Sequence, residues 1–379
     1  MKHSRKDILQ PVKRVLVKIG SGVLTKKEGL NLDVVRALSE DICRLMEKRG
    51  LEIILVSSGA IASGIKKMGF SQRPQSISQQ QAIAAIGQSS LMLAYEDAFR
   101  RYGRKVAQIL VTRDDLTNRK RYLNTRNTIF TLLNWKLIPI INENDTVVVD
   151  EIKFGDNDNL SAMMANLAGA DLVVNLTDID GLFDADPKGN KDAHLIPLVE
   201  KVTSKIEKNA RPIPGPLGRG GMESKVKAAK DSATCGIPTI IANGLKRNIM
   251  STIFDGKEEG TLFLPRPIPM RSRKHWIAFT KSPKGRIMVD RGAEEALVKK
   301  GKSLLPSGIV AVYGRFNIGN SVTIMNREES TLAVGLVNYP STDVEKILGL
   351  KSSEIEKTLG YKHDDEVVHK DNLVLMTNP

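Results

Sequence analysis

Residues 138–187 read IPIINENDTVVVDEIKFGDNDNLSAMMANLAGADLVVNLTDIDGLFDADP, and their pattern decides the fold class. Two apolar runs, 138–141 and 172–176, are strand-like. The first runs straight into Asn142, Glu143, Asn144 and Asp145, the second into Thr177 and Asp178. Between them Gly155-Asp156-Asn157-Asp158-Asn159 opens a helical pattern over 160–167. Open α/β sheets bind ligands outside the carboxyl ends of their strands, beside helix N-termini. The stretch puts acids and amides at that edge twice. Asn, Asp and Gly are also the default turn residues. Three such clusters in one βαβ context favour a site for a charged small molecule, with a metal ion as the first expectation.

The chain has 379 residues, enough for two or more domains and a large core. At 41% hydrophobic residues it has a globular composition. Its two cysteines, Cys43 and Cys235, lie in apolar-patterned segments. They exclude a disulfide framework and a cysteine zinc site, and suit a reducing compartment. No apolar run approaches the roughly 18 residues a membrane helix needs. The basic N-terminus has no apolar core for export. The expected location is the cytoplasm, with no membrane partner. Net charge is +14, which favours anionic partners. The excess is local: residues 266–315 hold 12 Lys and Arg against 3 acids, and residues 316–379 hold 6 against 10.

Upstream, 15–19 is an apolar run carrying Lys18, followed at once by Gly20-Ser21-Gly22. A lysine at a strand end before a glycine turn suits an anion, because backbone N–H groups can approach it and the ammonium adds a point charge. No Gly-x-x-x-x-Gly-Lys-Ser/Thr occurs, so this is not a P-loop, and Gly20-x-Gly22 lacks the third glycine of a dinucleotide fingerprint. Residues 33–48 have helical spacing, 53–56 is a buried-strand run, and Ser57-Ser58-Gly59-Ala60 turns into another helix. The spacing predicts helices over 78–101 and 114–135, with a strand over 106–111 between them. Arg119, Lys120, Arg121 and Arg126 read as a solvated or subunit-facing surface. Residues 198–209 read as helical. The glycine-rich stretch 214–221 leads into a helix over 224–234 with Lys225 in its first turn, where a cation is normally disfavoured. Lys225 is therefore expected at a bound anion. A last strand covers 238–241. The alternation predicts a mainly parallel open sheet covered by helices on both faces. Prolines at 265, 267 and 269 and four cations suggest a linker over 266–276. Beyond it, short runs at 287–289, 309–312, 321–325 and 332–336, with one helix at 293–300, predict a small β-rich domain over 277–379.

Histidine is nearly absent before residue 265, and neither a nucleophile elbow nor a His/Cys metal spacing occurs. Phosphoryl transfer fits this inventory, since it needs positioning, cations and Mg²⁺ more than covalent help. A carboxylate acceptor, with a reference pKa of about 4.3, is already ionised and needs no base.

The motifs Lys18-Ile19-Gly20-Ser21, Ser57-Ser58-Gly59-Ala60, Asn142-Glu143-Asn144-Asp145, Gly155-Asp156-Asn157-Asp158-Asn159-Leu160-Ser161-Ala162, Leu176-Thr177-Asp178-x-x-Gly181-Leu182 and Gly220-Gly221-Met222-x-x-Lys225 occur in that order. Together they resemble the glutamate 5-kinase (γ-glutamyl kinase) family of the amino acid kinase superfamily. The segment with Val289-Asp290-x-Gly292-Ala293, Ser303-Leu304-Leu305-Pro306-x-Gly308-Ile309 and Gly335-x-x-x-Tyr339 resembles the PUA domain many of these kinases carry. The resemblance covers nearly the whole chain: an amino acid kinase domain at 1–265, then the linker and the PUA-like domain. It implies ATP-dependent phosphorylation of the γ-carboxylate of L-glutamate, the first step of proline synthesis. Lys18 and Lys225 would neutralise the transferring group and Asp158 would orient them. Ser58, Asp145 and Asn157 would hold glutamate. Lys18, Thr177, Asp178, Arg219, Gly220, Gly221, Met222, Glu223, Ser224 and Lys225 would contact ATP. The resemblance also implies Mg²⁺ arriving on the ATP phosphates in place of a protein-held metal, a homo-oligomer, feedback inhibition by proline and partnership with glutamate-5-semialdehyde dehydrogenase. RNA is not an expected partner, since the last 64 residues are acidic. Gly22, Asp184 and Arg219 depart from the family pattern, where Ser, Thr or Asn, then Thr, then Thr are common. Gly22 is expected to loosen the phosphate turn, and the other two to alter nucleotide contacts.

Overall fold

A computed structural model describes residues 4–26, 29–72, 74–147, 157–187, 189–190, 192–210, 221–266 and 283–376. The chain divides into two compact units, Met1–Pro269 and Met270–Pro379.

In the first unit α1 (Arg5–Leu9) leads into β1 (Arg14–Ile19), whose residues are buried from Val15 onward. Then come α2 (Ser21–Leu24), a small ladder of β2 (Thr25–Lys26) and β3 (Gly29–Leu30), and α3 (Leu32–Arg49). β4 (Glu52–Ser57), α4 (Ala60–Lys67), α5 (Ile77–Arg100) and β5 (Val106–Val111) follow. The next elements are α6 (Arg113–Thr117), α7 (Arg119–Asn134), β6 (Ile138–Glu143), α8 (Asn157–Ala168) and β7 (Leu172–Thr177). β8 (Leu198–Val199), α9 (Ser204–Asn209), α10 (Met222–Thr234), β9 (Thr239–Asn243), α11 (Ile249–Phe254) and β10 (Thr261–Phe263) complete the unit.

Eight strands form one sheet in the order β5-β6-β4-β1-β7-β9-β10-β8. From β5 to β9 every pairing is parallel, and β10 runs antiparallel to β9. Strands covered on both faces read as continuous apolar runs. β1, β4, β6 and β7 all do, and their side chains join the core with α3, α5 and α11. The register aligns Ile19 with both Ser57 and Leu176, and Thr177 with Asn243. The carboxyl ends of β1, β4, β7 and β9 therefore share one edge, with β6 beside β4.

Two helical expectations need correction. The pattern over 114–135 breaks at Asn118, whose side chain accepts from the N–H groups of Lys120 and Arg121 and starts a new helix. Asparagine favours a cap over a helix interior because its side chain competes for backbone donors. Residues 198–209 are not one helix. Leu198 and Val199 pair with Leu262 and Phe263, and the helix begins only after Thr203, which caps it. Pairing with a distant strand overrides the local pattern there.

The second unit holds a five-stranded sheet in the order β12-β11-β13-β14-β15, with β11 (Gly285–Val289), β12 (Ile309–Gly314), β13 (Ser321–Met325), β14 (Thr331–Leu336) and β15 (Leu373–Leu375). Its own core includes Ile287, Val289, Val322, Ile324, Tyr339 and Val368. The short helices Ser341–Ile347 and Ile355–Leu359 were not expected, being too short to display a helical period. The linker expected at 266–276 lies, apart from Arg266, outside the described residues. Among the described residues no helix is long and apolar enough to cross a membrane.

Candidate active site

Lys18 stands inside an otherwise apolar buried strand and is only 2% exposed. A buried ammonium needs a counter-ion, because desolvation of an unpaired charge is expensive. Asp158, 0% exposed in the first turn of α8, supplies it: Oδ1 lies 2.5 Å from Lys18 Nζ. Lys225, 6% exposed in the first turn of α10, places its Nζ 3.2 Å from Asp158 Oδ2. Asn175 Nδ2 donates to Oδ1 at 2.8 Å and Ser224 Oγ donates to Oδ2 at 2.7 Å. One carboxylate thus ties together β1, β7, α8 and α10. Among the described residues, two cations and one anion leave an excess of one positive charge. The N-terminus of α10 adds to it, since its N-cap is Gly221 and no side chain caps it. Uncapped N–H groups and a positive helix end suit an anion.

The glycine turn after β1 is tight. Gly20 N–H donates to Leu176 O at 2.9 Å, and a Cβ at Gly20 would lie 3.2 Å from that oxygen and 3.7 Å from Lys18 Nζ. A Cβ at Gly22 would lie 2.9 Å from Asp178 Cγ. Gly22 lets the start of α2 approach the Asp178 side chain, which gives a packing reason for glycine at this departure from the family pattern. Thr177, 5% exposed, donates through Oγ1 to Asp178 Oδ1 at 3.1 Å. Next to it Asp180 accepts from Asn243 Nδ2 at 3.1 Å and pairs with Lys246 at 3.0 Å. Partial burial raises the Asp180 carboxyl, but hydrogen bonds from Lys246 and Asn243 outweigh that and hold it below its ordinary range.

A second, uncharged cluster lies at the ends of β4 and β6. Asn157 Nδ2 donates to Ser57 O at 3.0 Å, and lies 3.1 Å from both Ser58 Oγ and Asn142 Oδ1. Asn142 Nδ2 donates to Gln88 Oε1 at 2.9 Å. Ser57 Oγ meets Tyr95 OH at 2.9 Å, and burial holds the tyrosine well above its ordinary range, so it stays a neutral hydroxyl. Gly59, with φ +101°, takes the left-handed turn into α4 that glycine alone adopts without strain. Asp145 follows β6 in a turn, half-buried.

The structure therefore gathers Lys18, Asp158, Ser224 and Lys225 into one cluster and Ser58 with Asn157 into another. Thr177 and Asp178 stand at the end of β7, and Asp178 lies against Gly22. Gly221, Met222 and Glu223 open α10, with Glu223 exposed. Arg219 and Gly220, and with them the Arg219 departure, lie outside the described residues. Asp184 is in the hairpin with His194, where its Oδ1 accepts from the His194 N–H at 2.8 Å. Asn175 and Gln88 were missed as members of these clusters, and Asn142 was read only as part of a polar strand end, with no role of its own. A lone Asn in the apolar run 172–176 was the available signal, since a buried amide needs partners. Among the described residues no group of three His, Cys, Asp or Glu is placed to hold a metal ion.

The model of the amino acid kinase family matches residues 13–243, and that of the PUA domain matches residues 285–359. A protein of Syntrophotalea carbinolica named glutamate 5-kinase is 51% identical over 371 residues, covering 98% of this chain and 99% of its own length. The glutamate 5-kinase of Geobacter sulfurreducens is 52% identical over 373 residues, 98% of this chain and 100% of its own length. This chain belongs to the glutamate 5-kinase family. In this family member the amino acid kinase match runs from the residue before β1 to the last residue of β9, so it contains every described site residue above except Lys246. The PUA match lies wholly within the second unit.

Proposed function

We propose that the chain transfers the γ-phosphoryl group of ATP to the γ-carboxylate of L-glutamate, giving L-glutamyl 5-phosphate and ADP, the first step of proline biosynthesis. The observation that carries this reading is the Lys18–Asp158–Lys225 cluster at the carboxyl edge of the sheet. A carboxylate oxygen of glutamate attacks the γ-phosphorus, and the bond from that phosphorus to the bridging β–γ oxygen breaks. No proton moves, because the acceptor is already ionised at neutral pH. What the protein must supply is positive charge around the in-flight phosphoryl group and alignment of the two substrates. Lys18 and Lys225 supply the charge, and Asp158 holds the two ammonium groups in place. Mg²⁺ enters as part of the nucleotide substrate.

Thr177, Asp178 and the segment Arg219, Gly220, Gly221, Met222, Glu223, Ser224 and Lys225 take ATP, whose phosphates meet the uncapped start of α10. Ser58, Asp145 and Asn157 take glutamate, with Asp145 facing its ammonium group. We place the kinase domain at 1–265, the linker at 266–276 and the PUA-like domain at 277–379. We further propose a cytoplasmic homo-oligomer inhibited by proline. Its acyl phosphate product hydrolyses readily, which favours direct handover to glutamate-5-semialdehyde dehydrogenase. RNA is not a proposed partner.

The test is ADP release from Mg-ATP with glutamate, N-acetylglutamate or aspartate as acceptor, with and without proline. Glutamate should be preferred and proline should slow its turnover. Faster turnover with either alternative acceptor would overturn the substrate assignment.

A further inference from the structure

Strand order gives the nucleotide a direction. The uncharged cluster proposed for glutamate lies at the ends of β6 and β4, and the Lys18–Asp158–Lys225 cluster lies at β1 and β7. In-line transfer puts the attacking oxygen, the phosphorus and the leaving oxygen in one row. With glutamate on the β4 side of the phosphoryl group, the remaining phosphates and the nucleoside extend to the other side, toward β9. β9 stands two strands beyond β1, about 10 Å away at the ordinary strand spacing. The sugar end of ATP therefore arrives over the ends of β7 and β9.

One anchored carboxylate stands at that place. Asp180, three residues past the end of β7, accepts from Asn243 Nδ2 at 3.1 Å and pairs with Lys246 Nζ at 3.0 Å. The Leu245 N–H donates to Asn243 Oδ1 at 3.0 Å, so the Asn243 amide has its nitrogen turned to Asp180. Backbone donors hold the turns on either side. The Gly244 N–H donates to Thr177 O at 2.8 Å, and the Leu182 N–H to the buried Thr261 Oγ1 at 2.8 Å. Asn243 and Lys246 both use Oδ1 of Asp180. Its Oδ2 has no partner among the described residues, and the side chain is 42% exposed. Lys246 Nζ also lies 2.9 Å from Glu259 Oε2. Among the described residues, two carboxylates and one ammonium thus leave this corner negative, the opposite of the Lys18 cluster. Such a corner repels phosphate and suits a neutral hydrogen-bond donor. A carboxylate at a strand end is a familiar receptor for ribose hydroxyls in α/β folds.

We infer that Asp180 is a substrate-binding residue: its Oδ2 accepts from the ribose hydroxyls of ATP while Asn243 and Lys246 hold its Oδ1. This rests on the functional reading above and adds a contact that selects ribonucleotides.

The test is steady-state kinetics at saturating glutamate on wild type, Asp180→Ala and Asp180→Asn. The nucleotides, each with Mg²⁺, are ATP, 2′-deoxy-ATP, 3′-deoxy-ATP and inosine triphosphate. In the wild type at least one deoxynucleotide should have a KM about tenfold above that of ATP, the loss expected for one hydrogen bond to a charged group. Asp180→Ala should raise KM for ATP to the deoxynucleotide value and leave that value unchanged, so that the discrimination disappears. Values of kcat and of KM for glutamate should hold. Asp180→Asn keeps an acceptor and should retain part of the discrimination. Equal KM for ATP and both deoxynucleotides in the wild type would overturn the inference. So would an Asp180→Ala loss of the same size for all four nucleotides, which a purely structural ion pair gives. Discrimination against inosine triphosphate that Asp180→Ala removes, with none against the deoxynucleotides, would overturn it in favour of a contact to the base amino group. Absence of glutamate-dependent ADP release by the wild-type protein would instead overturn the functional reading, and this inference with it.

Discussion

Two buried polar clusters face the same edge of the sheet, and they are held by opposite means. Around Asp158, among the described residues, charge dominates: two lysines from β1 and α10 close on one carboxylate, helped by the neutral donors Asn175 and Ser224. Around Asn157 no charged group takes part in the bonds described, and order comes from the sense of each amide. A charge cluster has one arrangement because any other leaves an ion bare. An amide chain has two senses, and only its anchored end chooses between them. The first device suits a site that must stabilise developing charge. The second suits one that must discriminate a ligand by which atom it meets.

The largest effect is expected at the charged cluster. Asp158→Ala should lower kcat at least a thousandfold and weaken the fold by about 3–5 kcal/mol, since it leaves buried lysines unpaired. Turnover and denaturant melts of the same preparation separate the two, and near wild-type turnover would break the contrast drawn above. Lys225→Ala should cost about 10²–10³ in kcat, the scale for loss of one transition-state donor, with KM for glutamate little changed. A loss confined to KM would mean that Lys225 serves binding alone. At Gly22 the effect should be smaller and confined to nucleotide. The added methyl of Gly22→Ala displaces Asp178 at about 1 kcal/mol or more, which predicts a several-fold rise in KM for ATP and none for glutamate. A rise for both substrates would mean that the turn serves the two clusters together.

The smallest effect concerns stability. Burial pushes Asp231, on α10, up to about 6, against the pull of Lys227 and Lys230. The folded chain therefore binds more protons than the unfolded chain between roughly pH 4 and 6, and stability falls as pH rises through that window. Asp231→Asn should raise the melting temperature by about 2–4 °C at pH 7 and hardly at all at pH 4. An equal shift at both values would exclude the linkage.

Much of the fold was legible locally. The runs at 15–19, 53–56 and 172–176 are the strands β1, β4 and β7, because a strand buried on both faces has little polar side to interrupt it, and the run at 106–111 is the half-exposed edge strand β5. The short pieces were not legible. Leu198 and Val199 are strand only because Leu262 and Phe263 lie beside them. At the site, Lys18 and Lys225 stood out for a local reason: a cation in an apolar strand, and a cation at a helix start. Asn175 and Gln88 did not, since a lone amide among apolar residues does not tell what it touches.

Sequence by itself determined the parallel α/β class, the polar strand ends and the chemistry they admit, because burial, capping and turn chemistry are written in short-range patterns. Only the tertiary structure decided which of those groups meet. Lys225 lies 67 residues from Asp158, and Gln88 lies 54 residues from Asn142. Strand order and helix packing bring such pairs together, and both arise from non-local burial of apolar faces that no window of neighbouring residues encodes.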